Sequence, residues 1–258
     1  MLKRSFVNRQ ESAISLLYRP ADLSEALSLA RNAYTDGADG IAIEISLLEQ
    51  KLRTEENFRT LFSCVPLPFM VINYRNDIVW GNDDAARQKD LLTAADAGAD
   101  VIDVMGDLFD PSPRELTRNP DAIAKQKDLI EEIHAKGSHV LISSHATVEK
   151  CLPAEEVLSM MQLQSARGAD LLKVVVQTET EEELLEGMKT LLLLKKELDK
   201  PFIYLGTGTF GKFLRYIGPK FGVAVEFAVH DYPPGSTYIT QPAIRSMRKV
   251  LDNLFWEF

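Results

Sequence analysis

Ser138-His-Val-Leu-Ile-Ser-Ser-His145 and Ala169-Asp-Leu-Leu-Lys-Val-Val-Val-Gln177 are the two stretches that decide the fold of this chain. Each is a short apolar run with β-branched residues, of the length expected for a strand buried on both faces. Alternation puts His139, Leu141, Ser143 and His145 on one face of the first run, and Leu171, Lys173, Val175 and Gln177 on one face of the second. Lys173 therefore stands inside an apolar run. Such a lysine must snorkel to water, pair with a carboxylate, or lose its proton because burial disfavours the charged form. The last state is a neutral amine able to attack a ketone and form an imine. His145, at the end of the preceding strand, is placed to move protons for it. The plainer alternatives are a lysine at a barrel mouth with its head in water and a histidine that only satisfies the fold. Two such residues at consecutive strand ends weigh more than either alone.

The pattern recurs outward in both directions. Further strands are expected at residues 13–18, 41–46, 69–75, 100–105, 201–205 and 223–229. Helices are expected at residues 23–34, 48–62, 83–98, 121–136, 153–167, 181–198, 212–221 and 242–255, with a longer loop at 106–120. Strands alternating with helices imply parallel βαβ units. With no linker long enough to divide the chain, residues 1–258 read as one α/β domain, a (β/α)₈ or TIM barrel. In that architecture chemistry sits at the C-terminal ends of the strands. Those ends are Glu44 and Ser46, Arg75, Asp103 and Met105, His145, Lys173 and Gln177, and the loop at Gly206. Glu44, Arg75, His145 and Lys173 are expected to face inward. Glu44 would orient His145, accept from a substrate hydroxyl, or pair with Arg75.

Composition narrows the function. A formal charge of −9 argues against a nucleic-acid or anionic-membrane surface. No apolar run approaches a membrane span, and Met1-Leu-Lys-Arg-Ser-Phe6 lacks the apolar core of a signal peptide, so a cytoplasmic protein is expected. Cys64 and Cys151 have no metal-ligand spacing and read as free thiols, and no metal or cofactor is expected. Gly206-Thr-Gly-Thr-Phe-Gly211 spells G-x-G-x-x-G but follows the seventh strand, the wrong place for a dinucleotide; a phosphate-binding loop remains as a lesser reading.

Strand by strand, from about residue 13 to residue 254, the chain resembles the type I 3-dehydroquinate dehydratases. Carrying the resemblance are Ile43-Glu44-Ile45, Asn73-Tyr74-Arg75, Ser143-Ser144-His145, Leu172-Lys173, Gly211-Lys-Phe-Leu-Arg215 and Phe221-Gly222. It implies that Lys173 forms an imine, His145 shuttles protons, Arg215 binds a substrate carboxylate, and Glu44 and Arg75 contact substrate hydroxyls. The implied reaction removes water from a cyclic β-hydroxy ketone carboxylate, by default 3-dehydroquinate to 3-dehydroshikimate in the shikimate pathway. An iminium suits it, because the electron sink makes the α-proton labile.

The chain departs from the family's pattern at three places. Ser46 stands where an arginine is usual, and Met105 where a glutamate is usual. Tyr232-Pro-Pro-Gly-Ser236 stands where the lid usually reads close to Ser-Ala-Pro-Gly-Gln. Tyr232 could replace part of the lost contact, and Gln241 the lid glutamine if the loop is re-routed. The expectation is an imine through Lys173 with weakened handling of 3-dehydroquinate. Two other readings stay open: a class I aldolase, favoured by the Gly206 loop, and a non-catalytic barrel that binds a metabolite, against which the retained Lys173 argues. The partners expected are a small-molecule substrate and a second copy of the chain, the apolar Leu254-Phe-Trp-Glu-Phe258 packing on the barrel base or in a homodimer.

Overall fold

The computed structural model describes residues 5–147, 151–232 and 239–254. In chain order these form β1 (Ala13–Tyr18), α1 (Leu23–Thr35), β2 (Gly40–Glu44), α2 (Glu55–Phe62), β3 (Phe69–Ile72), α3 (Asp84–Asp96), β4 (Val101–Met105), α4 (Pro120–Ala135), β5 (His139–Ala146), α5 (Ala154–Ala166), β6 (Leu171–Gln177), α6 (Glu181–Glu197), β7 (Phe202–Thr207), α7 (Gly211–Ile217), β8 (Val225–Ala228) and α8 (Ile244–Asn253). The strands pair in parallel in the order β7-β6-β5-β4-β3-β2-β1-β8. Between β7 and β8 the ring closes through a bridge of Phe202 with Val223 and a 2.8 Å bond from the Ala224 amide to the Phe202 carbonyl. The architecture is a TIM barrel.

Strand parity explains why the runs are apolar throughout. Ala13, Ala42, Met70, Val101, Leu141, Leu171, Ile203 and Val225 fill the barrel interior, while Ile14, Ile43, Val71, Ile102, Val140 and Leu172 face the helices. Both faces are buried, so polar alternation is absent. Each fully buried Val, Leu or Ile contributes about 1.5–3 kcal/mol. Against that interior, Glu44, Asp103 and Lys173 occupy the inward phase of β2, β4 and β6, Glu44 at the C-terminal end of its strand and the other two further inside theirs. Ionisable groups there need partners.

Local signals set the helix ends. Asn119 caps α4 by accepting from the Asp121 amide at 3.0 Å, with Pro120 opening the helix. Thr180 and Glu183 form a capping box at α6. Gly137, past the end of α4, takes φ +84°, a conformation glycine adopts without a Cβ penalty.

Some expected elements are shorter. Residues 45 and 46 leave β2 for a 3₁₀ turn, Ile45–Leu47, and residues 73–75 leave β3 after Ile72. The helix expected at residues 48–62 is a 3₁₀ turn, Gln50–Leu52, followed by α2 with Thr54 as its cap. The helix expected at residues 212–221 tightens into a 3₁₀ turn at Gly218–Phe221, where Pro219 offers no N–H. No helix among the described residues is long and apolar enough to cross a membrane. The expectations for Ser236 and for the tail at residues 255–258 lie outside the described residues.

Candidate active site

The site grows from Lys173. Register sets it beside Ser143 of β5, with Leu171 and Val175 above and below it on the barrel wall, and only 3% of the residue is exposed. Burial holds its amine below the ordinary lysine range, against the upward pull of the Asp103, Glu115 and Glu44 carboxylates. Its backbone is clamped by Gln164 of α5. That side-chain carbonyl accepts from the Lys173 amide at 3.1 Å, and the Gln164 NH₂ donates to the Lys173 carbonyl at 2.9 Å and to Ser144 Oγ at 3.0 Å.

Lys173 Nζ donates to Tyr74 Oη at 2.7 Å, and Tyr74 Oη donates to Asp103 Oδ2 at 2.9 Å. The other Asp103 oxygen accepts from Ser143 Oγ at 2.6 Å. Lys173 Nζ lies 3.8 Å from Asp103 Oδ2, beyond hydrogen-bond reach, and 5.4 Å from the centre of the Phe227 ring.

His145, partly exposed near the end of β5, meets the Tyr74 ring edge-on with centroids 5.1 Å apart. Its Nδ1 lies 2.5 Å from Glu115 Oε2. Burial alone would raise the Glu115 carboxyl, but the His145 bond and charge outweigh it and leave the group below its usual range. An ionised carboxylate only accepts, so Nδ1 is the donor in this contact and Nε2 is the ring nitrogen left outside it. Glu115 belongs to the loop after β4, where Arg114 and Glu115 sit at φ +61° and +49°. Non-glycine residues there cost about 1–3 kcal/mol each. A bond from Ser144 Oγ to the Glu115 carbonyl at 2.9 Å, and an Arg114–Glu156 ion pair at 2.6 Å, hold the turn in place. Gly106 permits the approach, since a Cβ there would lie 2.6 Å from the Glu115 carbonyl oxygen. A cavity of about 290 Å³ opens beside Glu115 and His145. A larger one, about 350 Å³, lies at the opposite end between the N-terminal segment and residues 198–202, away from the strands' C-terminal ends.

Glu44 is bound to Ser46, whose hydroxyl donates to Oε1 at 2.8 Å. Arg19, just past β1, donates from Nε to Ser46 Oγ at 3.2 Å and pairs with Glu44 at 3.3 Å. A guanidinium thus stands beside Glu44 although residue 46 is a serine. Glu44 does not reach His145; Glu115 is its carboxylate partner.

The expectation that Arg75 faces inward and pairs with Glu44 is corrected. The inward parity of β3 runs through Met70 and Ile72 to Tyr74, so Arg75 turns away and pairs with Asp84 and Asp107, each at 2.8 Å. Arg215 is buried and donates to the Gly206 carbonyl at 3.0 Å and to Glu226 Oε1 at 3.1 Å. Glu226 lies on the outward phase of β8, between the inward Val225 and Phe227, so Arg215 already holds a carboxyl group of this chain. Burial pushes Glu226 up to about 8 despite that guanidinium. Tyr232 donates to the Gln241 backbone carbonyl at 2.6 Å and accepts from Lys212 at 3.2 Å. Gln241 is buried, and its Oε1 has no hydrogen-bond partner among the described residues.

The Gly206 loop is not arranged for phosphate. Thr209 turns its amide and hydroxyl onto the Glu179 carboxylate, at 3.0 and 2.7 Å, and a Cβ on Gly206 would lie 2.9 Å from Gly211 Cα. These glycines serve the packing of α7 on β7. Among the described residues no group of three His, Cys, Asp or Glu side chains is gathered as a metal would require.

Sequence reasoning passed over Arg19, Tyr74, Glu115 and Glu226 as site residues. Tyr74 was findable, because it shares the parity of Met70 and Ile72. Nothing in the sequence marked the other three.

A family model described as type I 3-dehydroquinase matches residues 19–256. Among curated proteins, the 3-dehydroquinate dehydratase of Aromatoleum aromaticum is 30% identical over 142 residues, 54% of this chain and 51% of that protein. That of Klebsiella pneumoniae is 26% identical over 245 residues, 90% of this chain and 89% of that protein. The chain spans about half the length of several of these relatives, those of Aromatoleum aromaticum and Bacillus licheniformis among them. In structure it is similar to the type I 3-dehydroquinate dehydratase of Clostridium difficile, solved with covalently modified comenic acid, at TM-score 0.78 and 19% identity over 95% of this chain and 93% of that one. The barrel is shared with that solved structure, and the match from residue 19 to residue 256 settles the relationship: the chain belongs to the type I 3-dehydroquinase family.

Proposed function

We propose that this protein dehydrates 3-dehydroquinate to 3-dehydroshikimate through an imine on Lys173. The observation that carries the reading is one lysine amine, almost wholly buried in the barrel mouth and held below its ordinary pKa, with a histidine–glutamate pair beside it. Neutral Lys173 adds to the ketone carbon, water leaves, and the iminium draws electrons from the adjacent carbon. His145 Nε2 takes the α-proton. The enamine then expels the β-hydroxyl, which departs as water with the proton His145 returns, and hydrolysis frees Lys173. Such acid–base help contributes roughly 10²–10⁴-fold.

Glu44 faces the substrate hydroxyls in this reading. Because Arg75 and Arg215 already hold carboxyl groups of the chain, Arg19 is the guanidinium we assign to the substrate. The relative from Clostridium difficile was solved with covalently modified comenic acid, which is in keeping with a covalent adduct in a barrel of this fold. We place the protein in the cytoplasm as a homodimer; light scattering after size exclusion tests the assembly.

The test of the chemistry is borohydride trapping with 3-dehydroquinate and peptide mass mapping. Wild-type protein is expected to carry the reduced adduct on Lys173, and Lys173→Ala none. An unlabelled wild type, or an adduct elsewhere in the variant, would overturn the assignment.

A further inference from the structure

We propose that the Tyr74 hydroxyl is a catalytic proton relay between Lys173 and Asp103, which makes Asp103 the store for the proton that the amine must lose before it attacks. The inference rests on the imine reading of Lys173 and adds two residues to it. Its geometry is a continuous path: Lys173 Nζ to Tyr74 Oη at 2.7 Å, then Tyr74 Oη to Asp103 Oδ2 at 2.9 Å. The direct gap of 3.8 Å is too long for transfer without the phenol. Tyr74 is the group through which Lys173 and Asp103 communicate.

Transfer balances in two coupled bonds. A Lys173 N–H breaks as its proton joins Tyr74 Oη, while the original Tyr74 O–H breaks as its proton joins Asp103 Oδ2. Neutral amine, phenol and carboxylic acid result from ammonium, phenol and carboxylate, with no net charge moved into or out of the site. The reverse shift returns the proton to Lys173 when the product imine is hydrolysed.

The surroundings fit this division of labour. Lys173 is 3% exposed and Asp103 2%, so bulk water is a poor acceptor for the proton. Ser143 Oγ holds the far oxygen of Asp103 at 2.6 Å, aiming Oδ2 at the phenol. His145 is committed through Nδ1 to Glu115, which leaves its other nitrogen for the substrate and the amine's proton to another base. Glu44 from β2, Glu115 from the β4–α4 loop and Arg215 from α7 also act on the Lys173 charge, but Tyr74 is the group with an atom at hydrogen-bond distance. Burial and then the Asp103 charge push the phenol well above its ordinary range, so it serves as a neutral conduit and not as a phenolate base.

The experiment is rapid-quench borohydride trapping on the full chain, with 3-dehydroquinate and separately with propanal, a carbonyl that needs no substrate recognition. Wild type, Tyr74→Phe, Asp103→Asn and the double variant are compared at neutral pH and in H₂O–D₂O mixtures. Tyr74→Phe keeps the ring against His145 and removes only the relay. It is expected to slow imine formation with either carbonyl by about 10²-fold, the lower end of acid–base help. The curved proton inventory of the wild type should become linear, and the double variant should be no slower than the slower single one. Tyr74→Phe rates within twofold of wild type, or two substitutions whose effects multiply, would overturn the relay. A Tyr74 effect with propanal but no adduct from 3-dehydroquinate upholds the relay and rejects the proposed substrate; no adduct from either rejects both.

Discussion

Glu115 and His145 face each other at 2.5 Å, a carboxylate from a loop at positive φ against a histidine near the end of β5. The pairing places a glutamate on His145, the carboxylate partner expected in Glu44. Two left-handed residues in the turn are held by bonds to Ser144 and Glu156, so the strain is tied to this contact.

Replacing Glu115 with Ala therefore frees the imidazole to change tautomer and tilt. Steady-state kinetics should show kcat falling more than KM rises, and by less than the roughly 10²–10⁴-fold expected for His145→Ala. Equal kcat in Glu115→Ala and wild type would leave the contact a purely structural one.

Arg19 supplies a guanidinium beside Glu44 in place of the arginine missing at position 46. Arg19→Ala should lower kcat/KM for 3-dehydroquinate about tenfold or more, since a charged hydrogen bond is worth roughly 1.5–3 kcal/mol. A variant as efficient as wild type would mean that Arg19 only braces Glu44.

Gln164 is fully buried and satisfies both backbone groups of Lys173. Gln164→Leu should cost about 2–4 kcal/mol in urea unfolding, because the Lys173 amide and carbonyl and the Ser144 hydroxyl lose partners inside the protein. A change under about 0.5 kcal/mol, within the range of surface substitutions, would contradict the clamp.

Glu226 titrates far above the unfolded value of 4.5, at about 8. The folded state then binds the proton more tightly than the unfolded one. The stability this lends is fully present below pH 4.5 and is lost as pH rises to about 8. Glu226→Gln cannot lose that proton. Its melting temperature should match wild type below pH 4.5 and exceed it progressively toward pH 8, while a constant difference across that span would refute the shift.

The alternation of apolar runs and amphipathic helices by itself determined the barrel, because strands buried on both faces and helices with one buried face leave periodic marks in a linear chain. Parity likewise determined that Lys173, His145 and Glu44 lie on the inward side, since a side chain in a strand has only two directions. The same rule, carried past Ile72, puts Tyr74 and not Arg75 toward Lys173, since Arg75 shares the outward phase of Phe69 and Val71. Tertiary structure alone decided who partners whom: Glu115 for His145, Arg19 for Glu44, Glu226 for Arg215 and Glu179 for the Gly206 loop. Those pairings join residues from loops and from different βα units, and the need that creates them, a polar or charged group requiring a partner within a few ångströms, has no period along the sequence.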